Sequence, residues 1–324
     1  MNVTLVLQTI SSVLAASTPL VFAGIGETIS EKAGVVNLSL DGTILLSAMV
    51  GFAAAYVTGS VVVGILAAMV VGALIALLVA YGCIALKQDQ VAVGFVLTLL
   101  CADLSSFLGK PFVRIPGPSV PHAPIPLLAD IPVLGPIFFQ HNALVYLGYV
   151  LVIGTWLWLT YTRQGLQLRA VGERPEAAFA RGLNVNRMRY LYTALGGALV
   201  GLAGATYSLS VKLGWSHRHT SGMGWIALAI VIFGGWHPIR VALGAFLFGA
   251  LKSLGSILQP VYPNVPSQVF QAAPFALMIV ALLFASARIE EHLPASVPAA
   301  LRRTVGSLIR GTPPAGLGQR FEQG

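Results

Sequence analysis

Charge is what this sequence has least of. Asp, Glu, Lys and Arg make up 9% of its 324 residues, against about 25% in an ordinary soluble domain. Hydrophobic residues make up 56%, and the mean hydropathy is +0.82. Too little polar surface exists to cover a water-soluble globule, which excludes a disordered chain and a typical soluble enzyme. Cysteine is scarce as well. Cys83 and Cys101 both sit in apolar runs and supply neither a disulfide framework nor metal-ligand spacing. They read as lipid-facing or packed thiols. The start, Met1-Asn2-Val3-Thr4, has no Lys or Arg, unlike a cleavable signal peptide, so the first apolar stretch reads as a retained span. The formal net charge is +8. Its basic residues cluster beside hydrophobic segments, a membrane-orientation pattern that points away from nucleic acid.

What is present is a series of long apolar runs. A membrane span needs roughly 20 predominantly apolar residues. Candidate segments are 3–23, 38–57, 61–86, 91–108, 143–162, 190–211, 224–236, 239–256 and 270–287. The fold class is therefore all-α, a polytopic transmembrane bundle of about nine or ten segments. The seventh is short and contains Gly234-Gly235, as a half-helix or a broken one would. Residues 163–189 hold six Arg and two Glu, and 288–324 holds five Arg against three Glu. Both read as cytoplasmic, with an even number of segments between them. Counting back, the loop 109–142, with eight of the nineteen prolines, falls outside as a stiff, extended connection. Residues 24–37 fall inside. The domain reading is a transmembrane domain over 1–287 and a basic cytoplasmic tail over 288–324 with no packed role. Gly64, Ala68, Gly72 and Ala76 recur every four residues, as do Gly197, Gly201 and Ala205, so helix backbones approach closely in lipid. No internal repeat is evident.

The chemistry is sparse. No Walker A pattern occurs: Gly244 to Gly249 is followed by Ala250. Neither a His-Glu-x-x-His nor a Gly-x-Ser-x-Gly motif is found, nor a carboxylate pair suited to membrane proteolysis or proton relay. No catalytic residue and no metal ligand is assigned; His217 and His219 read as solvated surface. Asp103 and Lys252 lie near segment ends, where they can snorkel. Asp41 differs. It lies in Asn37-Leu38-Ser39-Leu40-Asp41-Gly42, a polar knot that opens an apolar segment. Two readings stand side by side: a helix start that satisfies free amides, and a broken helix whose Asn37, Ser39, Asp41 and Gly42 line a solute pathway. In the basic loop, Pro175 suits the first turn of a helix, Glu176 its positive end, Arg181 its last turn and Gly182 its stop. So short a helix needs a partner surface.

These two motifs carry a resemblance. Gly26 to Gly42 closely resembles the N-terminal signature of permease subunits of bacterial ABC importers. The branch is the one serving nucleosides and simple sugars, related to ribose and branched-chain amino acid permeases. Arg169 to Ala178, with Gly182 to Asn186, looks like that family's cytoplasmic coupling loop, and Gly196 to Ala205 is also similar. The likeness covers roughly residues 20–285. It implies an importer subunit in the bacterial inner membrane, not an enzyme. ATP would be bound by a separate cytoplasmic ATPase, with no cofactor in this chain. Other implied partners are a second permease subunit, usually a different chain, membrane lipid, and a periplasmic or lipid-anchored solute-binding protein. The ATPase-coupling residues implied are Gly172, Glu173, Arg174, Pro175, Glu176, Ala177, Ala178, Arg181 and Gly182. Arg174 departs from the Asn more usual in the family. A nucleoside comes first as solute; simple sugars, purines and branched-chain amino acids are alternatives. A stand-alone secondary transporter or channel is the reading from another class.

Overall fold

The computed structural model describes residues 3–322 apart from 221, 267, 271, 274, 277, 278 and 281–310. The described chain is helical, without a named strand. Its α-helices are α1 (Val3–Lys32), α2 (Leu40–Thr58), α3 (Val61–Ile84), α4 (Gln90–Leu108), α5 (Ala143–Tyr161), α6 (Arg163–Glu173), α7 (Pro175–Ala180), α8 (Val185–Thr206), α9 (Met223–Phe233) and α10 (Pro238–Leu258). Seven of them, α1 to α5, α8 and α10, are long and apolar enough to cross a membrane. The segment expected at 270–287 lies largely outside the described residues.

The expected boundaries shift in two places. The first apolar run does not stop at residue 23. Nothing breaks the helix there, and Thr28 and Ser30 turn their hydroxyls back onto the carbonyls of Gly24 and Gly26. α1 therefore continues for 30 residues, about 45 Å. It ends where Gly34 takes φ +90°. The Val35 amide then reaches the Ser30 carbonyl and the Gly34 amide that of Glu31, a Schellman stop that only a left-handed residue closes cheaply. α8 likewise starts at Val185, because Asn184 caps the Arg187 amide at 2.9 Å.

α1 runs through the middle of the bundle, packed against α5, α8, α9 and α10. Beside it, α3 lies flush on α8. A Cβ at Gly72 would run into the backbone of Gly197 and Gly201, and one at Gly201 into the carbonyl of Ala68. The small-residue stripes thus form the closest helix seam, as their spacing predicts. Both cysteines are buried and free.

The bundle has two distinct ends. At one, the loop 109–142 pairs Val113 with Trp215 and His122 with Asn142 in isolated bridges, and Tyr56 meets Phe112. At the other lie the end of α1, the turn at Lys87, α6, α7, the start of α8 and residues 311–322. The basic loop 163–189 and residues 311–322, the described part of the tail, thus share one end of the molecule. α9 is the half-helix: eleven residues, about 16 Å, half the hydrocarbon thickness of a bilayer. Gly235 at φ +60° stops it in a second Schellman turn, with the Trp236 amide on the Val231 carbonyl.

Candidate functional site

Three features bear on function: the basic end, a buried polar joint, and a cavity.

At the basic end, α6 leads into α7 through Arg174, and Pro175 occupies the first turn of α7. Gly182, at φ +84°, closes the helix: its amide meets the Phe179 carbonyl at 2.8 Å, and the Leu183 amide meets the Ala178 carbonyl at 3.1 Å. The short helix read from Pro175, Glu176, Arg181 and Gly182 is therefore present with those ends. Gly172, Pro175 and Ala178 are buried, whereas Glu173, Arg174, Glu176, Ala177, Arg181 and Gly182 face outward. The buried three anchor the helix. The Cβ position of Gly172 is taken by the Lys32 carbonyl, so α6 is seated directly on the end of α1. Ala178 packs with Val171 and Val185. α6, which leads into α7, thus bears directly on the end of the central helix.

The polar joint lies in the last two turns of α1 at that end. Glu27 and Glu31 stand on successive turns, at 0% and 4% exposure. Glu27 accepts the backbone amide of Asn37 at 3.0 Å, and Glu31 accepts the indole N–H of Trp236, just past α9. Two carboxylates therefore lie buried in a span, on residues that the sequence reading placed in an inside loop. The i, i+4 spacing of Glu27 and Glu31 was the available signal. It was missed because the apolar run ends at residue 23, and hydropathy alone ends the helix there. Asn37 Oδ1 accepts from both the Ser39 amide and the Ser39 hydroxyl, and Ser39 meets Thr43 at 3.0 Å. Thr98 of α4 donates to the Leu38 carbonyl at 2.7 Å, and Gly42 lies against the Thr98 backbone with no room for a Cβ.

Asp41 is the keystone of this joint. Ser39 makes no side-chain cap to α2. Instead Asp41 Oδ1 reaches across 183 residues to accept the amide of Gly224, in the first turn of α9, at 3.0 Å. The free amides that Asp41 satisfies belong to a different helix. A carboxylate at a helix N-terminus also complements the positive end of the dipole. Gly224 is required for this approach, since a Cβ there would strike the Asp41 backbone. Asn37, Ser39, Asp41 and Gly42 are thus brought together, but all are buried against protein partners in this conformation.

The cavity adjoins the start of α9 on the side away from Asp41's helix. It has a volume of about 430 Å³ and is bounded by Met223 and Ile226 of α9, Tyr207, Phe248 and Lys252 of α10, and Phe270 and Phe275. A second cavity of about 280 Å³, which shares Tyr207, Met223, Phe248 and Lys252 with the first, lies along α1 at Ser12 and Leu20. Lys252, expected to snorkel, opens onto this cavity. His219, expected on the solvated surface, stacks on Tyr207 with ring centroids 5.2 Å apart. Its Nδ1 lies 2.6 Å from the Ser216 carbonyl. Burial holds its pKa below the usual imidazole range, and Lys212 adds to the effect while the Ser216 carbonyl opposes it. A neutral imidazole therefore faces the cavity at pH 7. Asp103, by contrast, is exposed beside Arg218 at 3.6 Å, a pair of small energetic weight.

A long central helix, a half-length apolar helix and a short helix seated at the bundle's end describe a transport bundle. The protein-family comparison agrees. Residues 9–282 match the family described as the branched-chain amino acid transport system permease component. The chain belongs to this family. It is a multi-pass membrane permease component of ABC transport, not a catalytic subunit. The permease is 36% identical, over 90% of its length and 95% of the relative, to a Haloferax volcanii protein inferred to be a glucose ABC transporter permease. It is 36% identical to the nucleoside ABC transporter permease protein NupC of Lactococcus lactis, over 87% and 93% of the two chains. It is 34% identical to the guanosine ABC transporter permease protein NupQ of Bacillus subtilis, over 84% and 90%. No solved structure matches it.

Proposed function

We propose that this permease carries nucleosides inward across the cytoplasmic membrane of a bacterium, in partnership with a cytoplasmic ATPase, a second permease subunit and an external solute-binding protein. The observation that carries the solute class is the cavity lining. Its walls are aromatic on several sides, with Tyr207, Phe248, Phe270 and Phe275 available to a planar base. Ser253, Ser256, Gln259 and Lys252 offer polar groups to sugar hydroxyls. Among the described residues, none of those lining the cavity is a carboxylate. A free amino acid would leave its ammonium unpaired there, a costly arrangement in a low-dielectric site. This argues against branched-chain amino acids. Simple sugars are the second reading, favoured by the Haloferax volcanii relative.

The mechanism follows from the connections. ATP closes the ATPase dimer and moves α7. Gly172 passes the motion to the end of α1. Glu31 and Trp236 tie that end to the end of α9, and Asp41 ties the start of α9 to α2. The Asn37–Gly42 knot acts on the pathway from behind its wall, as the joint about which α9 shifts. The permease need only bias two states, so its solute contacts can stay weak.

Uptake of labelled guanosine, cytidine, ribose, glucose and leucine by cells with and without this chain tests the reading. Nucleoside uptake that disappears with the chain, and with its ATPase, supports it. Sugar or leucine uptake keeps the class and overturns the solute. Uptake that persists without the ATPase sinks the ABC mechanism for this chain.

A further inference from the structure

We propose that residues 311–322 form, together with α7, a composite docking surface for the ATPase: an aromatic knob of Phe179 and Phe321 within a rim of charged residues. The proposal rests on the reading that α7 is the ATPase contact. The segment was expected to have no packed role. Instead it runs as a strap across the basic end of the bundle. Gly311 meets the backbone of Gly235 after α9. The Ala315 amide donates to Glu173 at 3.2 Å, and the Gly316 amide to the Gly172 carbonyl at 2.8 Å. The Gly318 amide donates to the carbonyl of Gly34 at 3.1 Å, and the buried Arg189 of α8 donates to the Gln319 carbonyl at 3.1 Å. Glu322 pairs with Lys87 at 2.5 Å. In twelve residues the strap thus touches the α9–α10 turn, α6, the end of α1, α8 and the α3–α4 turn.

Its consequence for α7 is specific. Phe321 packs with Val171, Ala178 and Val185 beneath α7, and its ring meets Phe179 edge-on at 5.7 Å. A helix of six residues has no stability of its own; the strap supplies part of its floor. Phe179 nevertheless keeps 42% of its surface exposed. The two rings therefore present one apolar projection that the described residues leave partly uncovered. Both signs of charge are exposed near it in sequence, Arg174, Arg181 and Arg320 with Glu176 and Glu322. Such a surface fits an apolar groove with a rim of complementary mixed charge. The tail places part of that surface 142 residues further along the chain than α7, beyond the reach of a local motif.

The test uses the reconstituted permease complex in lipid nanodiscs with purified ATPase. ATPase affinity and ATP hydrolysis are measured for Phe321→Ala, Phe179→Ala, the double variant, and a chain ending at residue 310. Thermal unfolding of each permease confirms that it is folded, and Phe321→Leu serves as a milder variant. Phe321→Ala is expected to weaken ATPase binding on the order of tenfold, the scale of a lost buried aromatic contact. The double variant should lose less than the product of the single losses, because the rings act as one unit. Raising salt should weaken the wild-type complex. Weakening by Phe179→Ala, with none from Phe321→Ala or from truncation, overturns the proposal and leaves α7 as the contact. No weakening from any variant overturns the α7 reading itself. Faster hydrolysis or tighter binding after truncation also overturns the proposal, since the strap would then mask α7.

Discussion

Asp41 lies in the first turn of α2, and its carboxylate serves the first turn of α9. That exchange makes it the residue whose replacement is most informative. Asp41→Ala leaves the buried Gly224 amide without its acceptor, at a cost of about 1–3 kcal/mol. Asp41→Asn keeps an acceptor oxygen and loses only the charge. The melting temperature of the detergent-solubilised permease should therefore fall further for Asp41→Ala than for Asp41→Asn. Equal losses would mean that the hydrogen bond is not what the site contributes. Trp236→Phe makes a parallel case, because it removes the indole donor from buried Glu31. A similar cost of about 1–3 kcal/mol is expected, with uptake reduced more than folding, since Trp236 ends the helix that borders the cavity. Asp41 was legible as a polar residue opening a helix, but its partner was not. Nothing in the sequence announces that Gly224, in an apolar run, would sit beneath it.

Among the elements, α7 and the α3–α8 seam were the most legible, for different reasons. α7 carries its own start and stop signals within eight residues, and these act locally. The seam is written as a four-residue period of small side chains, which has one physical use in lipid. Gly72→Leu should therefore separate α3 from α8 and leave no folded protein in the membrane fraction, whereas leucine at Gly154, which faces open space, should be tolerated. Normal yields for both would remove the seam argument. At α7, Glu176 is the acidic residue of the first turn. Glu176→Lys places a cation at the positive helix end, which costs about 0.3–1 kcal/mol there, and reverses the one charge carried within α7. Uptake should uncouple from ATP hydrolysis; a variant with normal uptake per ATP would remove α7 from the coupling route. The length of α1 was less legible. Hydropathy marks where a helix leaves lipid, and α1 continues past that point through Glu27, Glu31 and Lys32 because protein, not lipid, surrounds them.

At the scale of the whole molecule, the class of fold was legible because the bilayer imposes a length on every crossing helix. The cavity and the strap were not. Each is assembled from residues far apart in the chain, such as Tyr207 with Phe275 or Phe179 with Phe321, whose meeting depends on the packed whole. Histidine gives a measurement that reads this packing directly. His141, His219 and His237 lie outside the seven crossing helices, and burial lowers the pKa of each below the usual imidazole value. His122 adds to the lowering at His141, and Arg240 and Lys32 at His237. In the folded protein these rings resist protonation. Between their lowered values and about pH 6.5, the unfolded chain therefore binds more protons than the folded one. Stability then rises with pH through that window and is lost as pH falls below about 6.5. The histidine share is isolated by comparing wild type with the triple variant His141→Gln, His219→Gln, His237→Gln. The melting temperature of the wild type relative to the variant should be constant from pH 8 to 7 and should drop by several degrees on acidification to pH 5. A difference that stays level, or that grows in favour of the wild type, would show that the imidazoles titrate freely and that the regions around His141, His219 and His237 are not packed as described.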